Sequence, residues 1–209
     1  MYLCGGLSDE SLTSFMKVAI VKYNAGNVES VKNALHRLNI VPVLTDDAEV
    51  LQSADKVIFP GVGEASTAMN YLRERKLDSV IKNLTQPVLG VCLGMQLLCD
   101  FSDENETECL GILPYKVRKF ESATLKIPQI GWNNIYELKS DLFKGIKENS
   151  FVYFVHSYYV ESGAETIAAC DYELNFSAAI NYKNFYAVQF QVEKSGAIGE
   201  KILENFLKM

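Results

Sequence analysis

The chain has 209 residues, of which 48% are hydrophobic, and a formal net charge of −6. A chain of this length fits one α/β domain that buries roughly 70% of the surface its unfolded form exposes. Basic and acidic residues are interspersed, which argues against nucleic acid as a partner, and the apolar runs are too short to span a membrane.

The cysteine content points to a reducing compartment. There are five cysteines, an odd number, and none has paired CxxC spacing, which argues against a disulfide framework and against a zinc site. We therefore expect a cytoplasmic protein without a metal or another cofactor. Residues 1–15 are polar and patternless and do not resemble a signal peptide, so they are expected to be a disordered leader to a single domain over 16–209.

Short apolar runs alternate with helical spacing through the first half of the chain. The pattern predicts a helix over 28–38 and one long helix from the 60–63 loop to about 83, with strands over 17–23, 41–44, 56–59 and 88–91. Apolar strands that alternate with helices predict an α/β fold, with a parallel sheet covered on both faces. Ligands of such sheets bind beyond the carboxyl edge, where the glycine-bearing loops 60–63 and 90–94 are expected.

After Cys109 the chain becomes rich in strands. Strand-like runs are joined by short polar turns and lie at about 116–120, 124–138, 149–160, 165–170, 175–182 and 184–190. Residues 195–208 predict a closing amphipathic helix, whose apolar stripe consists of Ile198, Ile202, Leu203 and Phe206. No linker or repeat divides the chain, which favours one domain.

Cys92 lies where an apolar strand turns into a helix, in Pro87-Val88-Leu89-Gly90-Val91-Cys92-Leu93-Gly94-Met95-Gln96. Glycines two before and two after a nucleophile remove the Cβ atoms that would clash in so tight a turn. The Leu93 amide and the helix start are expected to lower the thiol pKa and to stabilise an oxyanion. The pattern predicts a nucleophile elbow, whereas Cys4, Cys99, Cys109 and Cys170 lack flanking glycines and are expected to be small hydrophobic residues.

A cysteine nucleophile usually needs a base, and the chain has only two histidines. His36 lies in a helical stretch and is expected at or near the surface. His156 ends a hydrophobic strand, and its pattern favours a hydrogen-bonded structural role over a place in a catalytic pocket.

Motifs along residues 16–209 resemble the glutaminase subunit of imidazole glycerol phosphate synthase, a class I (triad-type) glutamine amidotransferase. They are the opening KVAIVKYNAGNVESV, Pro60-Gly61-Val62-Gly63-Glu64, the elbow around Cys92, Gly131-Trp132-Asn133, Tyr153-Phe154-Val155-His156-Ser157-Tyr158 and Val188-Gln189-Phe190-Gln191-Val192-Glu193-Lys194-Ser195. The resemblance implies a flavodoxin-like, mostly parallel central sheet with helices on both faces, plus a strand-rich C-terminal half. It also implies a subunit that hydrolyses glutamine and passes ammonia to a (β/α)8-barrel synthase partner in a heterodimer, for imidazole glycerol phosphate formation in histidine biosynthesis.

The same resemblance assigns roles to individual residues. Cys92 would attack the side-chain amide of glutamine, and Gln191 and Glu193 occupy the other two triad positions. The remaining assignments are oxyanion stabilisation by Gly61, Val62, Gly63 and Leu93, substrate binding by Gln96, Ser157 and Tyr158, and partner contact by Asn27, Tyr153, Lys194 and Trp132.

One departure concerns the triad itself, because the family has His-Pro-Glu where this chain has Gln191-Val192-Glu193. A glutamine amide can hydrogen-bond to a thiol but does not titrate near pH 7, so it cannot take the thiol proton or deliver one to departing ammonia. A second family histidine is Gln129 here, which puts part of the expected partner interface in doubt.

Three explanations of the departure stay open: an engineered or erroneous sequence, a natural variant with weak or absent glutaminase activity, and rescue by His156. Rescue would require His156 within hydrogen-bond reach of Cys92, and the pattern favours it least. Two other functions also fit the sequence. One is a paralogue that feeds ammonia to a sugar-modifying amidotransferase, and the other is a non-catalytic pseudo-glutaminase that binds and steadies its partner.

Overall fold

The computed structural model describes residues 16–23 and 27–209. The predicted leader over 1–15, with Cys4, and the turn residues 24–26 lie outside the described residues. In the described part of the chain, no helix has the length and apolar character needed to cross a bilayer.

The helices are α1 Val28–Arg37, α2 Ala48–Ser53, α3 Ala65–Glu74, α4 Leu77–Lys82, α5 Leu93–Leu98 and α6 Gly196–Leu207. The strands are β1 Val18–Val21, β2 Val43–Thr45, β3 Lys56–Phe59, β4 Val88–Val91, β5 Cys99–Ser102, β6 Thr107–Glu108, β7 Leu113–Lys119, β8 Gln129–Ile135, β9 Ser150–His156, β10 Tyr158–Val160, β11 Thr166–Tyr172, β12 Leu174–Tyr182 and β13 Phe185–Val188.

A seven-stranded sheet with the order β11-β12-β13-β4-β3-β1-β2 forms the centre of the molecule. The five strands from β13 to β2 are parallel, and β12 and β11 continue the sheet antiparallel to β13 and to each other. This arrangement confirms the predicted α/β class with a mostly parallel central sheet. The parallel part has the flavodoxin-like strand order, in which ligands bind beyond the carboxyl ends of the strands.

The inner strands β1, β3 and β4 are buried on both faces, as expected for the middle of a parallel sheet, whereas Val43 and Leu44 of the edge strand β2 are exposed. In β1, Val18 and Ile20 pack into the core cluster that contains residues of α1 and α6, whereas Ala19 and Val21 pack into the cluster that contains residues of α2, α3, α4 and α5. The two clusters lie on opposite sides of the sheet because alternate side chains of a strand point to opposite faces. Helices therefore cover both faces, as predicted.

The single long helix predicted to run to about residue 83 is wrong. Helix α3 ends at Glu74 and α4 begins at Leu77, because Lys76 adopts the left-handed conformation with φ 58° and ψ 20°. A left-handed residue cannot continue a right-handed helix. The left-handed position at a helix break is usually a glycine, and here it is a lysine, so the sequence carries no signal of the break.

Helix α2 is absent from the sequence-based prediction, although its start carries a recognisable signal. The Asp47 carboxylate accepts hydrogen bonds from the backbone amides of Glu49 and Val50, at 2.9 and 3.1 Å. An acidic cap of this kind stabilises a helix of only six residues by satisfying amides that have no partner inside the helix.

The strand-rich half divides among three sheets. Strands β11 to β13 complete the central sheet, β5, β6, β7 and β10 form a four-stranded sheet, and β8 pairs with β9 in an antiparallel ribbon. The closing helix α6 buries Ile202, Leu203 and Phe206 as predicted. The ribbon matters for the site because its strand β9 ends beside the elbow at Cys92.

Candidate active site

Cys92 occupies a strained turn between β4 and α5. Its φ of 54° and ψ of −110° place a non-glycine residue outside the usual right-handed and extended regions. The Cys92 amide donates to the Val188 carbonyl at 2.8 Å, which fastens the turn to the end of β13. Strain of this kind, held by the surrounding sheet, is typical of a nucleophile elbow.

The two flanking glycines permit the close approach that the elbow needs. A Cβ atom on Gly94 would lie 1.9 Å from the Phe59 carbonyl oxygen, and one on Gly90 would lie 2.8 Å from the Leu98 side chain. The start of α5 therefore packs directly on the end of β3, and no side chain larger than hydrogen fits at Gly94.

A pocket with about 690 Å³ of space not filled by protein, including its open mouth, lies next to Cys92. Its lining includes most of the predicted oxyanion and substrate residues, and the full set is Val62, Gly63, Cys92, Leu93, Gln96, Glu104, Pro128, Val155, His156, Ser157 and Tyr158. A smaller cavity beside it is lined by Asn27, Val31, Pro60, Gly61, Val62, Val91, Gln191 and Glu193. The two cavities bring the predicted catalytic, oxyanion and substrate residues to one end of the sheet.

The predicted oxyanion donor at Leu93 is engaged by the glycine loop in this structure. The Leu93 amide donates to the Gly61 carbonyl at 3.2 Å, and the Tyr23 hydroxyl donates to the Pro60 carbonyl at 2.5 Å. An oxyanion can accept from Leu93 only after the Gly61 carbonyl turns away. The loop is therefore the part of the site that must rearrange before the amide can stabilise negative charge.

Burial dominates the acidity of the thiol. It raises the pKa of Cys92 to about 12, against smaller lowering contributions from the Leu93 amide, the Gln191 side chain and the Lys194 ammonium group. The Leu93 amide lowers the thiol pKa as predicted, but burial outweighs this contribution and the net shift is upward. The helix that begins here has only six residues, and desolvation outweighs its amide.

Gln191 and Glu193 lie beside Asn27 in the smaller cavity. The Asn27 side-chain amide donates to Glu193 Oε1 at 2.5 Å and to Gln191 Oε1 at 3.4 Å. Burial raises the pKa of Glu193, and its Oε2 atom has no hydrogen-bond partner among the described residues. Asn27, assigned to the partner interface from the resemblance, thus also holds the two side chains at the altered triad positions.

Comparison with known families identifies the chain. The family model described as Glutamine amidotransferase class-I matches residues 20–209. This chain belongs to the class-I glutamine amidotransferase family. The match spans nearly all of the described residues and confirms the resemblance noted in the sequence.

Two of the curated relatives that resemble this chain are HisH subunits. The imidazole glycerol phosphate synthase subunit HisH of Bacteroides fragilis (strain YCH46) is 57% identical over 196 residues, which are 93% of this chain and 100% of that protein. The HisH subunit of Bacteroides thetaiotaomicron is 56% identical over the same shares. A solved glutamine amidotransferase structure, 18% identical, superposes with a TM-score of 0.71 over 91% of this chain and 97% of that one. That structural likeness supports the fold.

His156 of the amidotransferase is held by two hydrogen bonds inside the protein. Its Nδ1 lies 2.7 Å from the Tyr158 carbonyl and its Nε2 lies 2.9 Å from Gln129 Oε1. Burial lowers the pKa of His156 to about 4. Because a carbonyl oxygen can only accept, the Nδ1 atom of a neutral ring donates to Tyr158, and Nε2 can then accept only if the Gln129 amide presents its nitrogen. This buried ring, fixed by its neighbours, favours the structural interpretation of His156 over rescue of a base.

Gln129 has a place different from the one expected. It is only 3% exposed and pairs with His156 across the ribbon. Gln129 is therefore not an exposed side chain available for direct contact with a partner. His36 is exposed on α1 as predicted, and Cys99, Cys109 and Cys170 are buried as predicted.

Two residues of the site were missed by the sequence analysis. Glu104 lines the large pocket, in a short 3-10 helix after β5, and nothing in its local sequence distinguishes it from other acidic residues. Gln189 is fully buried beside Cys92 and Gln96. Its signal was available, because a glutamine inside the apolar run Ala187-Val188-Gln189-Phe190 requires polar partners.

Proposed function

We propose that this chain is the glutaminase subunit of an imidazole glycerol phosphate synthase, which hydrolyses glutamine to glutamate and ammonia for use by a synthase partner. The observation that carries the proposal is the strained Cys92 elbow opening into a pocket that Gln96 and Glu104 also line. The names of the relatives, at 57% and 56% identity over nearly the whole chain, supply the acceptor reaction and the histidine pathway.

The pocket residues suit glutamine as substrate. Glu104 offers a carboxylate to the α-ammonium group of an amino acid, and Gln96 offers a side-chain amide. Ser157 and Tyr158 line the same pocket. The side-chain amide of the substrate would then lie toward Cys92.

The reaction begins with attack of the Cys92 sulfur on the amide carbon of glutamine. A sulfur–carbon bond forms, the carbonyl oxygen becomes an oxyanion, and the Leu93 amide with the 61–63 loop stabilises that charge. Collapse of the intermediate breaks the carbon–nitrogen bond, and the leaving nitrogen takes a proton to depart as ammonia. Water then hydrolyses the thioester to glutamate.

The proton steps are the weak point of this chain. Gln191 holds the position from which a base would serve Cys92, and its amide neither accepts the thiol proton nor returns it to the nitrogen. With burial holding the thiol protonated at neutral pH, we propose that glutaminase activity is low and limited by these transfers.

Restoring a histidine tests the assignment. In the presence of a (β/α)8-barrel synthase and its nucleotide ligand, Gln191→His should increase glutamate release about 10²- to 10⁴-fold, the usual contribution of a positioned general base. Glutamate would be measured enzymatically under saturating glutamine, with Cys92→Ala as the inactive control. If Gln191→His is as inert as Cys92→Ala, the triad assignment is wrong.

An exposed aromatic surface next to the site supports a protein partner. Trp132, Ile130 and Phe151 on the β8–β9 ribbon are each more than half exposed, and the Trp132 ring lies edge-on to Tyr153 at 5.8 Å. Tyr153 is connected to the site because its backbone carbonyl accepts a hydrogen bond from the backbone amide of Gln191 at 2.9 Å. Aromatic residues are enriched in protein interfaces, so this surface is where we propose that the (β/α)8 partner docks to form a heterodimer.

The compartment is proposed on separate grounds. The described cysteines Cys92, Cys99, Cys109 and Cys170 are all free thiols, which agrees with a reducing cytoplasm.

A non-catalytic partner subunit is the second candidate, favoured by Gln191 and by the raised thiol pKa. Titration calorimetry separates the two. Glutamine binding together with a large gain in Gln191→His supports a weakened glutaminase, whereas tight partner binding with no glutamine binding supports the non-catalytic subunit.

A further inference from the structure

Gln189 follows β13 directly and is completely buried, with a relative exposure of 0%. Its backbone amide donates to the Ala178 carbonyl at 2.8 Å, which holds the chain in the central sheet. A buried side-chain amide is costly unless both its oxygen and its nitrogen have partners. The partners of Gln189 are two residues of the site: its Nε2 lies 3.7 Å from Cys92 Sγ, and its Oε1 accepts from Gln96 Nε2 at 3.0 Å.

One main-chain carbonyl determines the orientation of both glutamine side chains. Gln96 Nε2 also donates to the Tyr158 carbonyl at 3.1 Å, and a carbonyl oxygen can only accept. Gln96 must therefore direct its nitrogen toward Tyr158 and Gln189. Gln189 must in turn direct its oxygen toward Gln96, which leaves its nitrogen for the Cys92 sulfur.

This chain of contacts has a consequence at each end. At the pocket, Gln96 keeps its oxygen as the polar atom it can offer to a bound amino acid, whose ammonium and amide groups are donors. At the elbow, the sulfur faces a donor that cannot rotate away. The protonated thiol itself donates to the Val155 carbonyl at 3.8 Å, a contact that is lost when the proton leaves.

We propose that Gln189 is a positioning residue that holds the Gln96 amide in its substrate-facing orientation and supplies a fixed N–H donor to the Cys92 thiolate. The part that concerns the substrate rests on the proposed glutaminase function. The part that concerns the thiolate requires only that Cys92 ionises, and it can be tested without glutamine. The other groups that act electrostatically on the thiol are the Leu93 amide, the Gln191 side chain, the Glu193 carboxylate, the Lys194 ammonium group and the Tyr23 hydroxyl.

The first experiment measures how fast iodoacetamide alkylates Cys92 as a function of pH, with the Cys92 peptide quantified by mass spectrometry in the full chain. Gln189→Glu keeps the shape of the side chain but places an acceptor where the donor was. A hydrogen bond to a charged group contributes enough that we expect alkylation at pH 8 to slow about tenfold or more. Gln189→Met, which removes the donor without adding charge, should slow alkylation by a smaller factor.

Gln52→Glu is the matched control, because residue 52 is exposed on α2 and the substitution adds the same charge. Its alkylation profile should follow the wild type. Circular dichroism and urea unfolding establish that each variant is folded, and Gln189→Met carries the test if Gln189→Glu does not fold. Profiles of folded Gln189→Met and Gln189→Glu that superimpose on the wild type would overturn the thiolate role, since a merely structural residue would leave the thiol unchanged.

The second experiment uses the Gln191→His background, where glutamate release can be followed. Adding Gln189→Met should raise KM for glutamine as well as lower kcat, because Gln96 loses the partner that orients it. A lowered kcat at unchanged KM would overturn the substrate part of the proposal. If Gln191→His itself is inactive, the proposed function fails while the alkylation result still decides the thiolate role.

Discussion

Glu193 is a partly buried acidic side chain next to Gln191, at the position where we propose that a base is missing. It is largely removed from water, receives one hydrogen bond from Asn27, and keeps Oε2 without a partner in the part of the chain that the structure describes. Burial raises its pKa more than Asn27, Lys194 and its own backbone amide lower it. In this chain the carboxylate is thus a cost to folding that no imidazolium offsets.

We expect Glu193→Gln to stabilise the protein at neutral and mildly alkaline pH. A group whose folded-state pKa is raised loses stability as pH rises through that pKa, so removing the charge removes the loss. The glutamine can still accept from Asn27. Urea unfolding should therefore show equal stability of variant and wild type near pH 4 and a modestly more stable variant at pH 8.

The exposed Glu121 supplies the control, since Glu121→Gln removes the same charge from solvent. Its stability should follow the wild type across the range. A Glu193→Gln protein that is less stable than the wild type at pH 8 would mean that the carboxylate is stabilised by a group that outweighs its burial.

At the scale of elements, the turn between β4 and α5 depends on how closely two backbones approach. Gly94 allows α5 to start against the Phe59 carbonyl, so a methyl group there meets backbone that cannot move aside. At Gly90 the nearest atom is the end of the Leu98 side chain at 2.8 Å, with backbone at 3.1 Å. The two glycines of the elbow are therefore unequal in what they tolerate.

We predict that Gly94→Ala costs at least about 3 kcal/mol, at or above the usual upper range for overpacking, and that Gly90→Ala costs clearly less. The midpoints of urea unfolding, with Cys92 alkylation as a readout of elbow geometry, would measure both. Equal losses in the two variants would show that α5 can shift on β3 and that the close approach is not rigid.

Strong patterns decided which elements could be predicted from sequence. The bounds of β3 and β4 follow from short, mostly apolar runs, and the apolar stripe of α6 follows from helical spacing. The break at Lys76 could not be predicted, because a lysine in a left-handed conformation has no distinctive sequence signature. Elements of this kind are set by tertiary packing, which local propensity does not contain.

At the scale of the molecule, the site is assembled from distant segments, and this limits what sequence could predict. Motifs identified Cys92 and Gln96, because glycines and a polar residue in an apolar run have local causes. The hydrogen bond from the Leu93 amide to the Gly61 carbonyl depends on how loops meet after folding. So do the hydrogen bonds by which Gln96 links Gln189 to the Tyr158 carbonyl. Burial of the thiol likewise reversed the net pKa shift expected from the helix start alone.

His156 couples the site wall to global stability. Its ring lies among Phe120, Phe154 and Phe176, with centroid distances of 5.4 to 5.5 Å, and its Nδ1 can donate to the Tyr158 carbonyl. This apolar environment accommodates a neutral imidazole far better than a charged one, which is why burial lowers its pKa from 6.5 to about 4.

The sign of the resulting pH dependence follows from linkage. Below pH 6.5 the unfolded chain binds a proton at this histidine that the folded chain refuses until about pH 4, so stability is lost as pH falls through that window. Complete titration corresponds to a loss of about 3 kcal/mol. In urea unfolding between pH 7 and pH 4, His156→Gln should therefore lose less stability than the wild type by up to that amount, even if it is less stable at pH 7.

His36→Gln, which removes an exposed histidine, should retain the wild-type dependence of stability on pH. Parallel curves for His156→Gln and the wild type would mean that the ring gains a proton in the folded protein as easily as in the unfolded chain.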